Sequence, residues 1–215
     1  MNFDARTVQA RCAALGFNPG PIDGVTGFRT MGAISEALTA RKGKVIADLF
    51  HVSGLHSVIW HWTAGAKGVT DLEERSYNGL HDTEGFHPGD WAPEAQAKYV
   101  PGRHGASHSL NANTGRIGES MDCMAGAQER PFKWGSNPMT WDHVNSMLDR
   151  TAIHCKKYDI PVSRYSTLSH AEIQPTLGIR QKNKWDITIL PDMSRPGDAI
   201  EVGDRLRAML RERLK

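Results

Sequence analysis

Hydrophobic side chains recur every three to four residues between residues 140 and 158, a spacing that predicts an amphipathic helix. The apolar face of this helix consists of Trp141, Val144, Leu148, Ala152 and Cys155. Thr140 precedes it as an N-cap, and Pro161 follows its end. A second pattern with the same period covers residues 198–215, with apolar positions at Val202, Leu206, Met209 and Leu210. Both segments are expected to pack one face against a core.

Strand-like runs alternate with these helices. Residues 57–62, SVIWHW, predict a buried strand that ends near His61, and residues 165–170 predict another that ends in His170. Two short strands are predicted on either side of a turn at residues 113–115. Residues 66–107 are rich in Gly, Pro, Asp and His and form a long insertion that we expect to face substrate. The alternation predicts an α/β fold with a mixed central sheet flanked by helices.

The first 44 residues form a pattern of their own. A helix is predicted over residues 4–15, with Asp4 as its N-cap, and a second helix is expected to begin at Thr30. The loop between them, GFNPGPIDGVTG, is rich in turn-forming residues. We therefore predict a small helical module over residues 1–44, followed by a larger domain over residues 45–215. Because so short a module is near the lower size limit for independent folding, we expect it to pack against the larger domain.

Composition argues against several classes of function and structure. The 215 residues carry a formal net charge of +2, which is too mild to indicate a nucleic-acid partner. No apolar run is long enough to predict stable insertion into a membrane. Residues 1–12 lack the pattern of a secretory signal peptide, so we expect synthesis in the cytoplasm. Three widely spaced cysteines argue against a disulfide framework and against a cysteine-rich zinc site. We expect a monomer.

Some titratable side chains are candidates for a functional site, and the others are interpreted as buried structural residues or solvated surface residues. Cys123 and Cys155 are expected to be buried thiols. Four histidines are interpreted as solvated residues of the insertion or of a helix surface, namely His81, His87, His104 and His154. By contrast, His61 and His170 end predicted strands, and Asp186 follows His170 by sixteen residues. Two imidazoles and one carboxylate suit Zn²⁺ and leave its fourth position open for water.

The motifs around these three residues add a resemblance. The segments VIWHWTAG, LSHAEIQP and KWD stand in the order of the ligand boxes of the type-2 N-acetylmuramoyl-L-alanine amidases. The chain resembles that zinc amidase family, which includes peptidoglycan recognition proteins, over residues 55–192. The resemblance implies zinc ligation by His61, His170 and Asp186. It also implies hydrolysis of the amide bond between N-acetylmuramic acid and L-alanine in peptidoglycan.

The resemblance assigns roles to neighbouring residues as well. Lys184 is expected to stabilise the oxyanion that forms during hydrolysis. Trp62 and Thr63, beside the first ligand, are expected to contact substrate. His108 falls where the family often has a cleft histidine that does not bind zinc, and a buried structural role is the alternative.

The family's SIGIE strand, which carries a catalytic glutamate in some members, corresponds to RIGES in this chain. Strict register places Ser120 at the glutamate position. Glu119 is therefore a candidate general base only if a bulge displaces it, and otherwise it is a solvent residue.

Residues 8–34 resemble the peptidoglycan-binding module of cell-wall hydrolases. The matching positions are Leu15-Gly16-Phe17, Ile22-Asp23-Gly24, Gly27 and Thr30. The resemblance implies wall contact near Asp23 and Gly24, although an Asx-turn would also explain Asp23.

These features together favour a phage or prophage endolysin, made in the host cytoplasm and acting on the periplasmic cell wall after release. A non-catalytic peptidoglycan-recognition protein and a cytoplasmic muropeptide-recycling amidase are the alternatives. The basic C-terminal helix could touch anionic lipid weakly, or it could be an ordinary solvated helix.

Overall fold

The computed structural model describes residues 3–215. The helices are α1 (Ala5–Ala14), α2 (Phe28–Arg41), α3 (Asp71–Ser76), α4 (Trp141–Tyr158), α5 (His170–Leu177) and α6 (Ala199–Arg213). The strands are β1 (Ser57–Trp62), β2 (Gly79–His81), β3 (Phe86–Pro88), β4 (Arg116–Met121) and β5 (Thr167–Ser169). Short 3-10 helices cover Ile46–Leu49 and Pro93–Lys98.

The five strands form one sheet in the order β3-β2-β4-β1-β5. Strands β2, β4, β1 and β5 are parallel, and β3 is an antiparallel edge strand that pairs with β2. The predicted mixed sheet flanked by helices is therefore confirmed. The long insertion is not a loop, since it contributes α3 and the β2–β3 hairpin. Of the strands predicted around residues 113–115, β4 forms, whereas residues 106–112 are irregular.

One face of the sheet lies under α4 and α6. Val58, Trp60 and Trp62 of β1 enter this core, and Trp60 Nε1 donates a hydrogen bond of 3.0 Å to Thr151 Oγ1 of α4. Alternation along a strand then turns Ile59 and His61 to the opposite face. Ile59 packs there against α1 and α5. The side of the sheet on which His61 lies therefore follows from the apolar residues on either side of it.

The N-terminal module packs on the larger domain, as expected from its size. Ala10 of α1 contributes to the same cluster as Ile59 and Leu168 of the sheet. Arg11 is buried, and its Nη2 lies 2.9 Å from the Asp159 carboxylate at the end of α4. The module's own apolar cluster extends beyond residue 44, because it includes Leu49 and Phe50. Helix α2 begins at Phe28, so Thr30 lies inside the helix rather than at its cap.

The C-terminal helix α6 differs from the predicted solvated basic helix at one position. Arg207 is fully buried, and its Nη2 lies 2.7 Å from Oε1 of Glu172 in α5. The other basic side chains of the segment that form ion pairs do so with neighbouring carboxylates, namely Arg205 with Asp192, Arg213 with Asp149 and Lys215 with Glu212. Among the described helices, none has the length and apolar character needed to cross a membrane.

Candidate metal centre

The three predicted ligands converge at the carboxyl ends of β1 and β5. His61 lies near the end of β1, His170 is the first residue of α5 directly after β5, and Asp186 lies in the loop that follows. Asp186 Oδ2 is 3.2 Å from His61 Nδ1 and 3.2 Å from His170 Nδ1. All three residues are buried, and their ligand atoms lie within 4.8 Å of one another. His170 was predicted to end a strand, whereas in the structure it begins a helix.

The spacing of these atoms fits a metal ion. Zinc lies about 2.0–2.1 Å from imidazole nitrogen and carboxylate oxygen, so neighbouring ligand atoms of a tetrahedron are about 3.3 Å apart. The two observed separations of 3.2 Å match that edge. His61, His170 and Asp186 could therefore hold a metal ion.

Hydrogen bonds direct the Nδ1 atoms of both histidines towards this centre. His61 Nε2 lies 3.1 Å from His108 Nδ1, and His170 Nε2 lies 2.9 Å from Gln181 Oε1. His108 Nε2 in turn lies 3.1 Å from the main-chain oxygen of Arg116, which can only accept. His108 is therefore protonated on Nε2, so His61 Nε2 donates to its free Nδ1. Such partners fix the ring that binds a metal and leave its Nδ1 lone pair available.

The electrostatics favour the charge state that binds a cation. Burial lowers the pKa of His61 to about 4. Burial also lowers the pKa of His108 far below its usual value. Burial alone would raise the pKa of Asp186, but its interactions with His170 and His61 outweigh burial and lower it. At neutral pH the centre therefore presents a neutral His61 and an ionised Asp186.

Acidification is expected to destabilise the metal-free protein through His61. The pKa of this residue is about 6.5 when unfolded and about 4 when folded, so the stabilisation is complete above pH 6.5. It is lost as pH falls from about 6.5 towards about 4, at up to about 1.4 kcal/mol per pH unit. Urea unfolding with a chelator at pH 7.5 and pH 5.0 measures this loss. The His61→Gln variant should lose less stability between these two pH values than the wild type. An equal loss would contradict the lowered pKa of His61 in the folded protein.

A cleft with a volume of about 670 Å³ opens beside the centre. His108, His170 and Lys184 line it, as do Gln181 and residues of the loop 107–114. The structure thus brings Lys184 and His108 to the cleft that the candidate ligand His170 lines. His108 both lines the cleft and contacts His61, so both of the roles considered for it are compatible with its position.

Three residues of the site were not identified from the sequence. Gln181 contacts His170, and the Tyr77 ring centroid lies 5.3 Å from that of His61. Gly118 is required because a Cβ there would lie 2.5 Å from Cγ of His108. Tyr77 and Gln181 lie in irregular segments, where hydrophobic patterning gives no signal. Gly118 in the middle of a predicted strand was the one available indication of a close approach.

Glu119 does not lie at the metal centre. In the parallel register of β1 and β4, Ser120 pairs with His61, whereas Glu119 pairs with Trp60 and shares its face. Strand β4 has no bulge here, so alternation directs Glu119 to the α4 side. A role as general base at this centre is therefore not supported. Ser120 faces the His61 side, and its buried hydroxyl has no hydrogen-bond partner among the described residues.

Glu119 is instead the acceptor of a buried triad. Its two carboxylate oxygens lie 2.8 Å from His81 Nε2 and 2.8 Å from His154 Nε2. Burial alone would raise the pKa of Glu119, but these hydrogen bonds outweigh burial and lower it to about 2. The interpretation of His81 and His154 as solvated residues is therefore wrong. Both are buried because each supplies a donor to a carboxylate inside the core.

The Glu119→Gln variant should lower the stability of the protein without a comparable loss of catalytic activity. The carboxamide has one acceptor oxygen where two histidine N–H groups converge, so one buried donor is left unsatisfied, and the free energy of unfolding should fall by about 1–3 kcal/mol. Activity of the folded variant should change less than tenfold, whereas removal of a general base typically costs about 10²–10⁴. Urea unfolding and kcat at a temperature where the variant is folded measure the two effects. A hundredfold fall in kcat with unchanged stability would restore the catalytic role.

The two residues after the first ligand are also not in the cleft. Trp62 is buried on the opposite face of the sheet, with its ring centroid 4.7 Å from that of Trp185. Thr63 is half-buried, and its Oγ1 accepts a hydrogen bond of 3.0 Å from the Gly65 amide. Trp62 thus anchors the end of β1 in the core, and Thr63 holds the turn that follows. Direct contact of Trp62 with substrate, as predicted, is incompatible with its burial.

In the N-terminal module, Asp23 has internal partners. Its Oδ1 accepts hydrogen bonds from Gln9 Nε2 at 2.9 Å and from the Val25 amide at 2.8 Å. Gly24 has a φ of 83°, which glycine adopts readily. The Asx-turn alternative therefore describes the Asp23 carboxylate. The fully exposed Phe28 ring lies nearby, beside a small cavity that Asp23 also lines.

Comparison with known proteins gives a distant structural likeness. No protein-family model matches the chain, and no curated protein matches it. Among solved structures, the N-acetylmuramoyl-L-alanine amidase LysC from Clostridium intestinale URNW aligns with a TM-score of 0.41 and 12% sequence identity. The alignment covers 75% of this chain and 89% of that chain. The chain is thus similar to this amidase at a level that carries no functional argument by itself.

Proposed function

We propose that this protein is a zinc-dependent amidase that hydrolyses the bond between N-acetylmuramic acid and L-alanine in peptidoglycan. One observation carries the proposal. His61, His170 and Asp186 come from three sequence segments that resemble the ligand boxes of such amidases, and Asp186 Oδ2 lies 3.2 Å from Nδ1 of each histidine. The adjoining cleft is large enough to receive part of a glycopeptide.

In this proposal a zinc ion held by these residues supplies Lewis-acid activation of water and of the scissile carbonyl. The chain's own residues prepare that centre. Asp186 contributes the negative charge, and His108 and Gln181 hold the two imidazoles in the orientation in which Nδ1 is free. Because the three ligands are buried, the surrounding packing restricts the motion of their side chains and preserves the geometry of the centre.

Two side chains are suited to stabilise the oxyanion. Lys184 lines the cleft beside His170 and brings a positive charge to it. The Tyr77 ring lies beside His61, with centroids 5.3 Å apart, and burial and the Asp186 carboxylate raise the pKa of its phenol, which stays a hydrogen-bond donor. One donor of this kind is typically worth about 10²–10³ in rate. No carboxylate general base is assigned, since Glu119 lies on the other face.

We also propose that the N-terminal module contacts the cell wall. The support is an exposed apolar group at the start of α2, where Val25, Phe28 and Met31 are 66%, 100% and 56% exposed. The Phe28 ring can pack against the apolar face of a sugar ring, and Val25 and Met31 add apolar contact area beside it. With Asp23 engaged by Gln9 and Val25, the contact would rest on these side chains rather than on the carboxylate.

The products of digestion test the proposed reaction. Purified protein with zinc is incubated with isolated peptidoglycan, and new amino groups and new reducing ends are labelled and identified by mass spectrometry. We expect free amino groups on L-alanine and no new reducing ends. Wall binding without new amino groups would support a recognition protein, and new reducing ends would indicate a glycosidase.

A further inference from the structure

One buried cation of the larger domain has no carboxylate of the described residues in direct contact, although the Asp4 charge partly offsets the effect of burial on its pKa. Arg116, the first residue of β4, is 6% exposed, and it forms no ion pair with a carboxylate among residues 3–215. Its Nη1 donates a hydrogen bond of 3.2 Å to the main-chain oxygen of Thr114, and its buried Nε has no partner. Buried arginine is usually paired, because an unpaired charge is costly to remove from water. A guanidinium in this state is suited to bind an anion from outside the chain.

The guanidinium lines a cavity with a volume of about 220 Å³ between the N-terminal module and the sheet. Phe3 and Thr7 belong to the module side, and His56 and Arg116 to the other. Burial and the charge of Arg116 lower the pKa of His56, so this imidazole is neutral at pH 7. Arg116 is therefore the cationic group of the cavity, and Asp4 is the acidic side chain that lines it.

This cavity adjoins the cleft of the metal centre. Asn111 and Thr114 line both, so the two spaces share a wall. Arg116 precedes Ser120, the β4 partner of His61, by four residues, which places it about 13 Å from His61 along the strand direction. An extended peptide covers that distance in about three to four residues. A peptide that extends from the scissile bond is thus long enough to span the distance from His61 to the Arg116 cavity.

We propose that the Arg116 cavity is a subsite for a free carboxylate of the peptide that extends from the scissile bond. The inference rests on the proposed function, because that function supplies the substrate class. A guanidinium binds a carboxylate through charge-assisted hydrogen bonds, and the Nη atoms of Arg116 carry N–H groups beyond the one donated to Thr114. The subsite would select peptides that carry free carboxylates over those in which the same groups are amidated.

Substitution of Asp4 tests the proposal through an expected effect on carboxylate binding that is opposite to the effect of substituting Arg116. Its carboxylate caps α1 by accepting a hydrogen bond of 2.8 Å from the Thr7 amide, and it faces the same cavity as Arg116. A negative charge there opposes a bound carboxylate. Asparagine caps helices as well as aspartate does, so Asp4→Asn removes the charge while the cap is kept. A purely structural Arg116 gives no reason for tighter ligand binding in that variant.

The experiment measures binding of two peptides by calorimetry. The first is L-Ala-γ-D-Glu-L-Lys-D-Ala with its carboxylates free, and the second is the same peptide with those carboxylates converted to carboxamides. Neither contains a muramoyl amide bond, so binding is read independently of hydrolysis. We expect the wild type to bind the acid at least about tenfold more tightly, as for other charge-assisted pairs. Arg116→Gln should abolish the difference, and Asp4→Asn should increase it.

The exposed Arg103, which lines neither cavity, provides the matched control. Arg103→Gln should retain the wild-type preference. Equal binding of both peptides by the wild type, or an unchanged preference in Arg116→Gln, would overturn the inference. Inorganic phosphate that binds as tightly as the acid peptide and competes with it would also overturn it, in favour of a general anion site. Arg116-dependent binding without wall hydrolysis would refute only the proposed function, and hydrolysis without that binding only the subsite.

Discussion

Replacement of His170 by alanine is expected to reduce amide hydrolysis by at least about a thousandfold, because a metal ion lowers the pKa of bound water from about 15.7 towards about 7. The variant loses one of three ligands and leaves Asp186 with a single histidine partner, His61. Zinc should then be lost on dialysis. The measurement is zinc per chain by mass spectrometry, together with the rate at which new amino groups appear on peptidoglycan.

His87 supplies the matched control for this variant. It is a partly exposed histidine of β3 whose Nε2 lies 2.8 Å from Asp82, and it lies outside the metal centre. His87→Ala should keep both zinc and activity. A His170→Ala protein that retained one tightly bound zinc and a rate within tenfold of the wild type would contradict the assigned ligand set.

Replacement of Arg207 by methionine should lower the free energy of unfolding by about 3–5 kcal/mol, since it leaves a buried carboxylate without its cation. The pair joins α6 to α5, where Glu172 also accepts a hydrogen bond of 2.8 Å from the Ser169 amide. Ser169 directly precedes His170, so loss of Arg207 should also loosen the second metal ligand. Urea unfolding measures the stability, and zinc titration measures the effect on the ligand.

The same helix offers a control for this prediction. Arg205 forms an exposed pair with Asp192 at 2.7 Å, and Arg205→Met should cost no more than about 1 kcal/mol. The double variant Arg207→Met with Glu172→Met should recover most of the lost stability, because no buried charge remains. Equal destabilisation by Arg205→Met and Arg207→Met would contradict a larger contribution of the buried pair to the free energy of unfolding.

The fold class and the convergence of His61, His170 and Asp186 were predictable because their signals are local. An amphipathic period indicates α4 and α6, and short motifs surround His61, His170 and Asp186. Parallel strands with their carboxyl ends at one edge then place the two histidines together. Strict register also correctly predicted that Ser120, and not Glu119, lies level with His61. This prediction needs only the alternation of side chains along one strand and no knowledge of the neighbouring strands.

Interactions between distant segments were not predictable in the same way. The partners of Glu119 lie in β2 and α4, and His81 and His154 carry no local sign of burial. Arg207 sits on a helix among other basic residues, and only the packing of α6 on α5 separates it from them. In the same way Leu49 and Phe50 follow the basic linker in sequence but complete the core of the N-terminal module.

A crystal structure of the zinc-loaded protein, with anomalous data collected at the zinc absorption edge, tests the central claim most directly. We predict one anomalous peak bonded to His61 Nδ1, His170 Nδ1 and the Asp186 carboxylate, with its fourth position open to the cleft that Lys184 lines. No peak at these residues after zinc loading, or a peak bonded elsewhere in the chain, would contradict the account of this site as the centre of a zinc amidase.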